Sequence, residues 1–389
     1  MLTGPRCRFC GSTAGELVLD LGHQPPSEYF PALSRPGPDP SFPLRLWCCA
    51  GCHLAQLADS DDVPESPRGV EPAALGEQRA DAVDWLVGTG LLPPSGRVAE
   101  FPSSHGGSWL DLLGAHGLRA AGTDEPADVV LDGSFGLMHA PDQRAALRRR
   151  VDRLRPGGRL VLQFHSLAAI LADGQWNALR HGHFGYYSTP ALSGMLGQLG
   201  LTVIGARRFP LYGGTVCLVA TADPDLDHLG GRPGLESVLA DELAAGVRDI
   251  AVLRGLQGAA ARVAGQLNEF VTGHCAQGRR VFGYGAASRA VALLNLAGLD
   301  ERLLLGVADA AAAKHGCRVP GTRIPILAPS ELVEQAPDLV LVFVPELMAE
   351  VRAALPGIES AGGRWVDVSA TDPHRQQSPD RTENLATSA

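Results

Sequence analysis

Eight cysteines are spread over 389 residues, and five of them fall within the first 52. Cys7 and Cys10 form C-R-F-C; after 38 intervening residues Cys49 and Cys52 form C-A-G-C. A C-x-x-C spacing lets two thiolates grip one ion while amides of the same turn donate to the sulfurs. Two such turns facing each other make a tetrahedral four-sulfur zinc site. Cys48 is an adjacent fifth thiol, but Cys49 fits the spacing. Four protein thiolates leave no open coordination position, so the expected role of the zinc is structural. The competing arrangement is two disulfides in a secreted chain. Residues 1–7 lack the charged-then-apolar layout of a secretory signal, which favours zinc and a cytoplasmic location.

Histidines form the second chemical group. His181 and His183 sit two apart, next to Arg180 and just before Tyr186 and Tyr187. Imidazole titrates near neutral pH, so His183 is a candidate general base. His181 is placed to orient a phosphate or a carbonyl, and Arg180 adds a donor. The bland alternative is a pair of solvent-facing loop histidines. His165 follows the apolar run 160–164 at a carboxyl end of the expected sheet, where open α/β folds put ligands; the alternative is a partly buried structural histidine. Further on, Gly283-Tyr284-Gly285 after a strand resembles a dinucleotide turn without its third glycine, which is weak support for NAD. Lys314 and Arg289 could meet phosphates there, or be idle exposed charges.

These groups need elements to hold them. After the cysteines, residues 57–77 are acidic and proline-rich, and 80–87 read as helix. Short apolar runs at 97–101, 118–123, 128–131 and 159–164 then alternate with helical stretches at 109–115 and 142–154, the last basic and amphipathic. The turn 154–158 precedes the fourth run. A helix over 189–199 and two runs, 201–206 and 215–220, follow. Strands alternating with helices imply a mostly parallel sheet covered on both faces, and the last two runs suggest an antiparallel edge. A long helical stretch, 241–271, leads to a second α/β pattern with strands near 280–282, 303–307, 339–344 and 364–368. The tail, 371–389, is polar and expected to be disordered. Net charge is −9, with 33 Lys and Arg against 42 Asp and Glu. A nucleic-acid binder would carry a basic face, and no apolar run reaches the ~18 residues of a membrane span. Neither partner is expected.

Three segments together resemble the NDP-deoxysugar C-methyltransferases of natural-product biosynthesis. They are the cysteine module with Leu21-Gly22 and Leu54-Ala55-Gln56-Leu57; the stretch 176–188, similar to that family's F-D-x-x-Y-H-E-H-x-x-Y-Y-S; and Gly283-Tyr284-Gly285-Ala286-Ala287 with Asp309, Lys314, Gly316, 320–322 and 324–326. The resemblance implies a zinc module, a Rossmann-like S-adenosylmethionine (SAM) domain and a C-terminal Rossmann-like domain beside the nucleotide sugar. It places cofactor contacts at Glu100, Gly106 and Asp124, and substrate contacts at Arg180, Tyr186, Tyr212, Gly283, Gly285 and Lys314. The family removes a proton beside a sugar ketone, and the enolate takes a methyl from SAM. The expected domains are 1–57 (zinc), 58–92 (helical connector), 93–224 (methyltransferase-like), 225–275 (helical linker), 276–370 (C-terminal Rossmann-like) and 371–389 (tail). Lys314 is the only lysine, a codon bias of high-GC bacteria.

The departures fall at the chemistry. The loop after the first strand should be small, so that backbone amides can approach the cofactor. Here Pro102 removes a donor and His105 stands where the family has an acid. Only 125–127 separate the second strand from the next, whereas joined parallel strands need about 10–12 residues or more. The helix, strand and helix that hold the adenine in the family are read as deleted. The family's Tyr and Glu of Y-H-E-H are here Arg180 and Gly182. Three readings follow: an enzyme of this fold with a truncated first sheet that no longer methylates and epimerises, isomerises or eliminates at a carbonyl, with His183, His181 and His165 as catalytic candidates; an active SAM-dependent C-methyltransferase; and a non-catalytic scaffold. For the first, SAM should bind weakly or not at all.

Overall fold

Apolar runs of four to seven residues, spaced by glycine and proline, build three sheets. The computed structural model describes residues 4–59, 63–64, 73–103, 107–228 and 232–368. The chain divides into two units: residues 1–23, 42–63 and 69–258 form one, and 24–41, 64–68 and 259–389 the other. His105, Gly106 and the tail 371–389 lie outside the described residues.

The first unit begins with β1 (Gly15–Gln24), β2 (Phe42–Cys49), β3 (Ala55–Leu57), α1 (Ala73–Gly88), β4 (Gly96–Glu100), α2 (Leu110–Ala115), β5 (Leu118–Ala120) and β6 (Ala127–Asp132). It continues with α3 (Gln143–Val151), β7 (Leu154–His165), α4 (Leu167–Ala172), β8 (Gly185–Tyr186), α5 (Thr189–Gly197), β9 (Thr202–Phe209), β10 (Thr215–Thr221), α6 (Leu235–Ala244) and the start of α7 (Ile250–Ala276), whose residues from 259 on belong to the second unit. Its larger sheet has the order β5-β4-β6-β7-β10-β9. β4 to β7 are parallel, and β10 inserts antiparallel between β7 and β9. This is the methyltransferase-type Rossmann sheet without a third strand beyond β5. β6 and β10 are buried along their whole length, as a strand covered on both faces must be.

No helix, strand and helix intervene between β5 and β6, as expected; what is corrected is the premise that so short a link could not join two parallel strands. β5 and β6 do follow each other directly, but they are not neighbours. Val98 of β4 pairs with Ala120 on one side and Val129 on the other. Residues 121–126 therefore cross β4, about 10 Å sideways. Because β5 is only three residues long, the step back along the strand is about 7 Å, and six residues reach that far. Arg153 holds the link through the carbonyls of Gly122 (2.8 Å), Thr123 and Glu125 (3.0 Å), and Glu125 pairs with Arg97.

Other boundaries shift for local reasons. The 154–158 turn lies inside β7: between the pairings Ala127–Leu154 and Val129–Arg159, β6 advances two residues and β7 five, a bulge with Gly157 at φ +75°. The 241–271 helix is two helices, α6 and α7, broken where Gly246 adopts φ +75°. Of the 303–307 strand, only Val307 pairs, with Ala308.

The second unit adds β11 (Val281–Tyr284), α8 (Ser288–Leu296), β12 (Val307–Ala308), β13 (Ile326–Leu327), α9 (Pro329–Glu334), β14 (Leu339–Val342), α10 (Met348–Ala354), α11 (Gly357–Ser360) and β15 (Arg364–Asp367). Its five strands run parallel in the order β13-β12-β11-β14-β15, a second Rossmann-like sheet. Residues 24–41 belong to this unit: Arg318, fully buried, pairs with Asp39 (2.6 Å) and donates to the carbonyls of Ala32 and Arg35.

A buried ion pair closes the carboxyl end of β6. Arg150 donates to Asp132 through Nε (2.8 Å) and Nη2 (2.5 Å), and Gly136 N–H adds a third bond (2.7 Å). Burial pushes the Asp132 carboxyl up, opposed by Arg150. Arg150→Met should cost about 3–5 kcal/mol, since it strands a buried carboxylate. Asp132→Asn with Arg150→Met should recover most of that loss in thermal unfolding. Equal losses would mean that shape, not charge, is at stake.

Candidate functional site

The two C-x-x-C turns fold alike. Gly11 N–H bonds the Cys7 carbonyl (3.0 Å) and His53 N–H the Cys49 carbonyl (3.1 Å). The residue after each pair is left-handed, at φ +74° for Gly11 and +59° for His53. Cys10 N–H points to Cys7 Sγ (3.5 Å) and Gly51 N–H to Cys49 Sγ (3.4 Å). The four sulfurs of Cys7, Cys10, Cys49 and Cys52 lie within 4.8 Å of one another. A tetrahedral zinc with bonds of ~2.3 Å sets its sulfurs about 3.8 Å apart, so the donor set and spacing fit zinc. Cys48 stays outside the cluster, buried, with its thiol pushed up to about 12 by burial.

The zinc module's sheet reaches the histidine segment. Its order is β1-β2-β3-β8: Ala55 pairs with Tyr186 and Gln56 with Gly185. Arg8, inside the first C-x-x-C, reinforces the join. Its guanidinium lies 4.6 Å from the Phe184 ring centre and donates to the carbonyls of Leu57, Asp59 and Pro141. On the other side the segment crosses the carboxyl end of the larger sheet. Phe184 N–H bonds Met138 O (2.7 Å), Leu167 N–H bonds Tyr187 O (2.8 Å), and Tyr187 Oη donates to Gln143 (2.5 Å).

His181 and His183 are buried, at 6% and 9% exposure, which removes the solvent-facing alternative. His181 turns to the zinc module, its Nε2 donating to Pro43 O (3.2 Å). His183 turns to Arg180, whose Nε donates to its Nε2 (2.6 Å). His139 stands edge-on to His183 with ring centres 4.7 Å apart, and its Nδ1 donates to Gly182 O (3.1 Å). Burial, then the Arg180 charge, push His139 down to about 4. Tyr186 Oη accepts from Arg180 N–H (3.0 Å), and burial pushes its phenol up. Gly182, where the resembled family has Glu, sits at φ +78°.

The structure thus brings Arg180, His183 and Tyr186 together with His139. His165 is half-buried at the end of β7, opposite Thr215. Tyr212 sits in a short turn at φ +56° with its ring 6.1 Å from Phe135. The Glu100 carboxylate accepts from Ser108 Oγ (2.5 Å) and Trp109 N–H (2.7 Å). Asp124 is exposed on the link across β4. In the second unit, Lys314 is buried, not exposed. Its Nζ donates to Ala286 O (2.9 Å) and Asp309 (3.0 Å) and lies 4.9 Å from the Phe30 ring centre. Gly283 has no room for a side chain, because a Cβ would meet Phe343 at 2.6 Å; Gly285 adopts φ +91° against Val344. Packing and a turn account for both glycines.

Sequence reasoning passed over Arg8 and Glu242. Glu242 of α6 is fully buried. It accepts from Ser166 Oγ (2.6 Å) and from Thr189 N–H at the start of α5 (2.5 Å), and burial raises its carboxyl. The signal was an acid on the apolar face of a helix.

Residues 7–65 match a family described as "Putative zinc binding domain", and residues 210–368 one described as "C-methyltransferase C-terminal domain". The C-methyltransferase NovU of Streptomyces niveus is 30% identical over 402 residues, covering 92% of this chain and 94% of that protein. A crystal structure of the Burkholderia thailandensis 1,6-didemethyltoxoflavin-N1-methyltransferase, with 1,6-didemethyltoxoflavin and S-adenosylhomocysteine bound, is similar at 16% identity. Its TM-score is 0.26, over 44% of this chain and 96% of that one. No helix among the described residues is long and apolar enough to cross a membrane.

Metal analysis should find one zinc per chain, and Cys10→Ser should lose it. Amide exchange at 184–187 should then quicken more than exchange in β6. Unchanged exchange there would mean the module does not hold the segment. His139 gives a pH signature. Its folded value of about 4 lies below the 6.5 of a free histidine, so the unfolded state binds more protons between them. Stability is full above pH 6.5 and falls by about 3 kcal/mol as pH drops toward 4. His139→Gln should flatten that slope in denaturant titrations.

Proposed function

This chain belongs to the C-methyltransferase family, and from that premise we propose that it keeps the family's substrate class, a keto-sugar nucleotide or similar carbonyl compound, without methylating it. The observation that carries this reading is the six-residue link 121–126. It leaves β5 as the sheet's edge where the family places the adenine-holding helix, strand and helix. Glu100 adds support, with both carboxylate oxygens engaged by its own loop. Pro102 takes a donor from that loop. These residues do not fit SAM, and no step is routed through it.

The proposed chemistry is proton transfer at the carbon beside a carbonyl. His183 is the base. Arg180 Nε donates to its Nε2 (2.6 Å), so that nitrogen carries the lone pair a base requires. On substrate binding, Arg180 leaves Nε2 for the carbonyl oxygen. Nε2 takes the proton, the C–H electron pair forms the enolate carbon–carbon double bond, and the carbonyl electrons pass to oxygen beside the guanidinium. Return of the proton to the other face or another carbon gives an epimer or an isomer; loss of a leaving group gives elimination. His181, bonded to Pro43, orients the loop, and Tyr186 holds Arg180 through its backbone. His165 is the reserve base at the sheet edge. The zinc of Cys7, Cys10, Cys49 and Cys52 is structural. In the second unit, Lys314 bonds the Ala286 carbonyl and Asp309, and Gly283 and Gly285 allow the turn after β11.

The second reading, active C-methylation, is favoured by the 30% identity to NovU across nearly the whole chain. Calorimetric titration with SAM separates the two. Micromolar binding supports methylation and overturns the first. On keto-sugar nucleotides in deuterated water, the protein should exchange the α-proton, and His183→Ala should slow that about 100- to 10,000-fold with zinc content unchanged. Exchange as fast as the parent's would move the base to His165.

A further inference from the structure

We propose that the open cleft between the first cysteine turn and α3 binds a small molecule through a phosphate-type polyanion. It is a shallow concavity of about 610 Å³, open to solvent and lined by Arg6, Arg8, Arg144 and Arg148, with Phe9 and Pro141 on its walls. The basic face of α3 that the sequence displays is turned partly into it. Asp142 is the sole acid of the lining, and its carboxylate is engaged as the helix cap, accepting from Ala145 N–H (2.8 Å). Arg8 is spent on three carbonyls and Phe184 and forms the floor.

The other three guanidiniums are available and partly fixed. Arg144 lies over the Phe9 ring, 5.2 Å from its centre. Arg6 is tethered by Nη1 to Gly11 O (3.0 Å). Among the described residues no carboxylate pairs with Arg6, Arg144 or Arg148; the same holds for other surface arginines such as Arg149 and Arg207, and what is particular here is that three such guanidiniums line one concavity. A chain of net charge −9 has acids to spare, yet leaves three arginines unneutralised around one concavity. Guanidinium forks match phosphate oxygens bidentately. The volume exceeds a phosphate and lies within the range of small-molecule clefts. His183 and Arg180 are not in its lining, and the proposal does not depend on the chemistry proposed there.

The test is calorimetric titration of the zinc-loaded protein with pyrophosphate and, in parallel, a nucleoside diphosphate, at low salt. One saturable site is expected for each. Arg144→Gln and Arg148→Gln should each weaken it about tenfold or more, the loss of one charge-assisted contact. Arg149→Gln is the control: it is exposed on the same helix but does not line the cleft, and should change affinity less than about twofold. Tighter binding of the nucleotide supports the proposal where Arg144→Gln and Arg148→Gln weaken it too; nucleotide binding that both variants leave unchanged belongs to the substrate site and overturns the assignment to this cleft. No saturable heat overturns it, as does an equal loss in Arg149→Gln, which would mark a diffuse field. Because pyrophosphate can strip metal, zinc is measured afterwards, and a heat that tracks zinc loss also overturns it.

Discussion

A two-residue strand decides where the histidine cluster stands. β8 is too short to persist alone: Gly185 and Tyr186 pair with β3 of the zinc module, and Phe184 and Tyr187 on either side bond Met138 and Leu167. Arg8, placed between the first two cysteines, then clamps Phe184 and the Pro141 carbonyl. The metal's contribution therefore extends past its own four sulfurs. It sets the turn that aims Arg8 and the strand that receives Tyr186, and so it sets the frame in which Arg180 and His183 meet. A module whose closed coordination excludes it from chemistry still fixes the geometry on which the proposed chemistry relies.

Buried charges complete that frame from the other side. Asp132 with Arg150 ends β6, and Glu242 ties the start of α4 to the start of α5. Each carboxylate is satisfied by donors from two separate segments, Arg150 of α3 and Gly136 for Asp132, Ser166 and Thr189 for Glu242, so each ties two segments together. Hydrophobic groups of the same size would bury well but would not set the loops' register. The price of desolvation buys a defined carboxyl edge, the surface that the 180–188 segment crosses.

The zinc ligands were legible because spacing alone constrains them, and so was the alternation that gives two parallel sheets. The antiparallel insertion of β10 was foreseen only as an edge, because strand order is set by tertiary pairing and not by local pattern. The deletion after β5 was legible from the short spacing, but that six residues could cross β4 was not. A crossover length can be estimated only once the neighbours are known, and β5 and β6 are not neighbours. Gly283 and Gly285 read as a nucleotide turn, yet Phe343 and Val344, sixty residues away in sequence, are what exclude side chains there. The pairing of His139 with His183 was not legible, because nothing local places the two rings together. Arg8 was invisible as a hub, since its partners lie 48 to 176 residues away along the chain.

The pairing of β8 with β3 also imposes an order of assembly. The cysteine turns are complete once residue 52 has been synthesised, but the strand that finishes their sheet arrives about 130 residues later. β10, which covers β7, comes later still, after β9. During synthesis the zinc module must wait with β3 as an open edge, while β7 waits for its last neighbour. Such long-range closures are slow, and open edges recruit wrong partners. β3 is only three residues long, a length that offers little to a foreign strand and enough to one carried by the same chain.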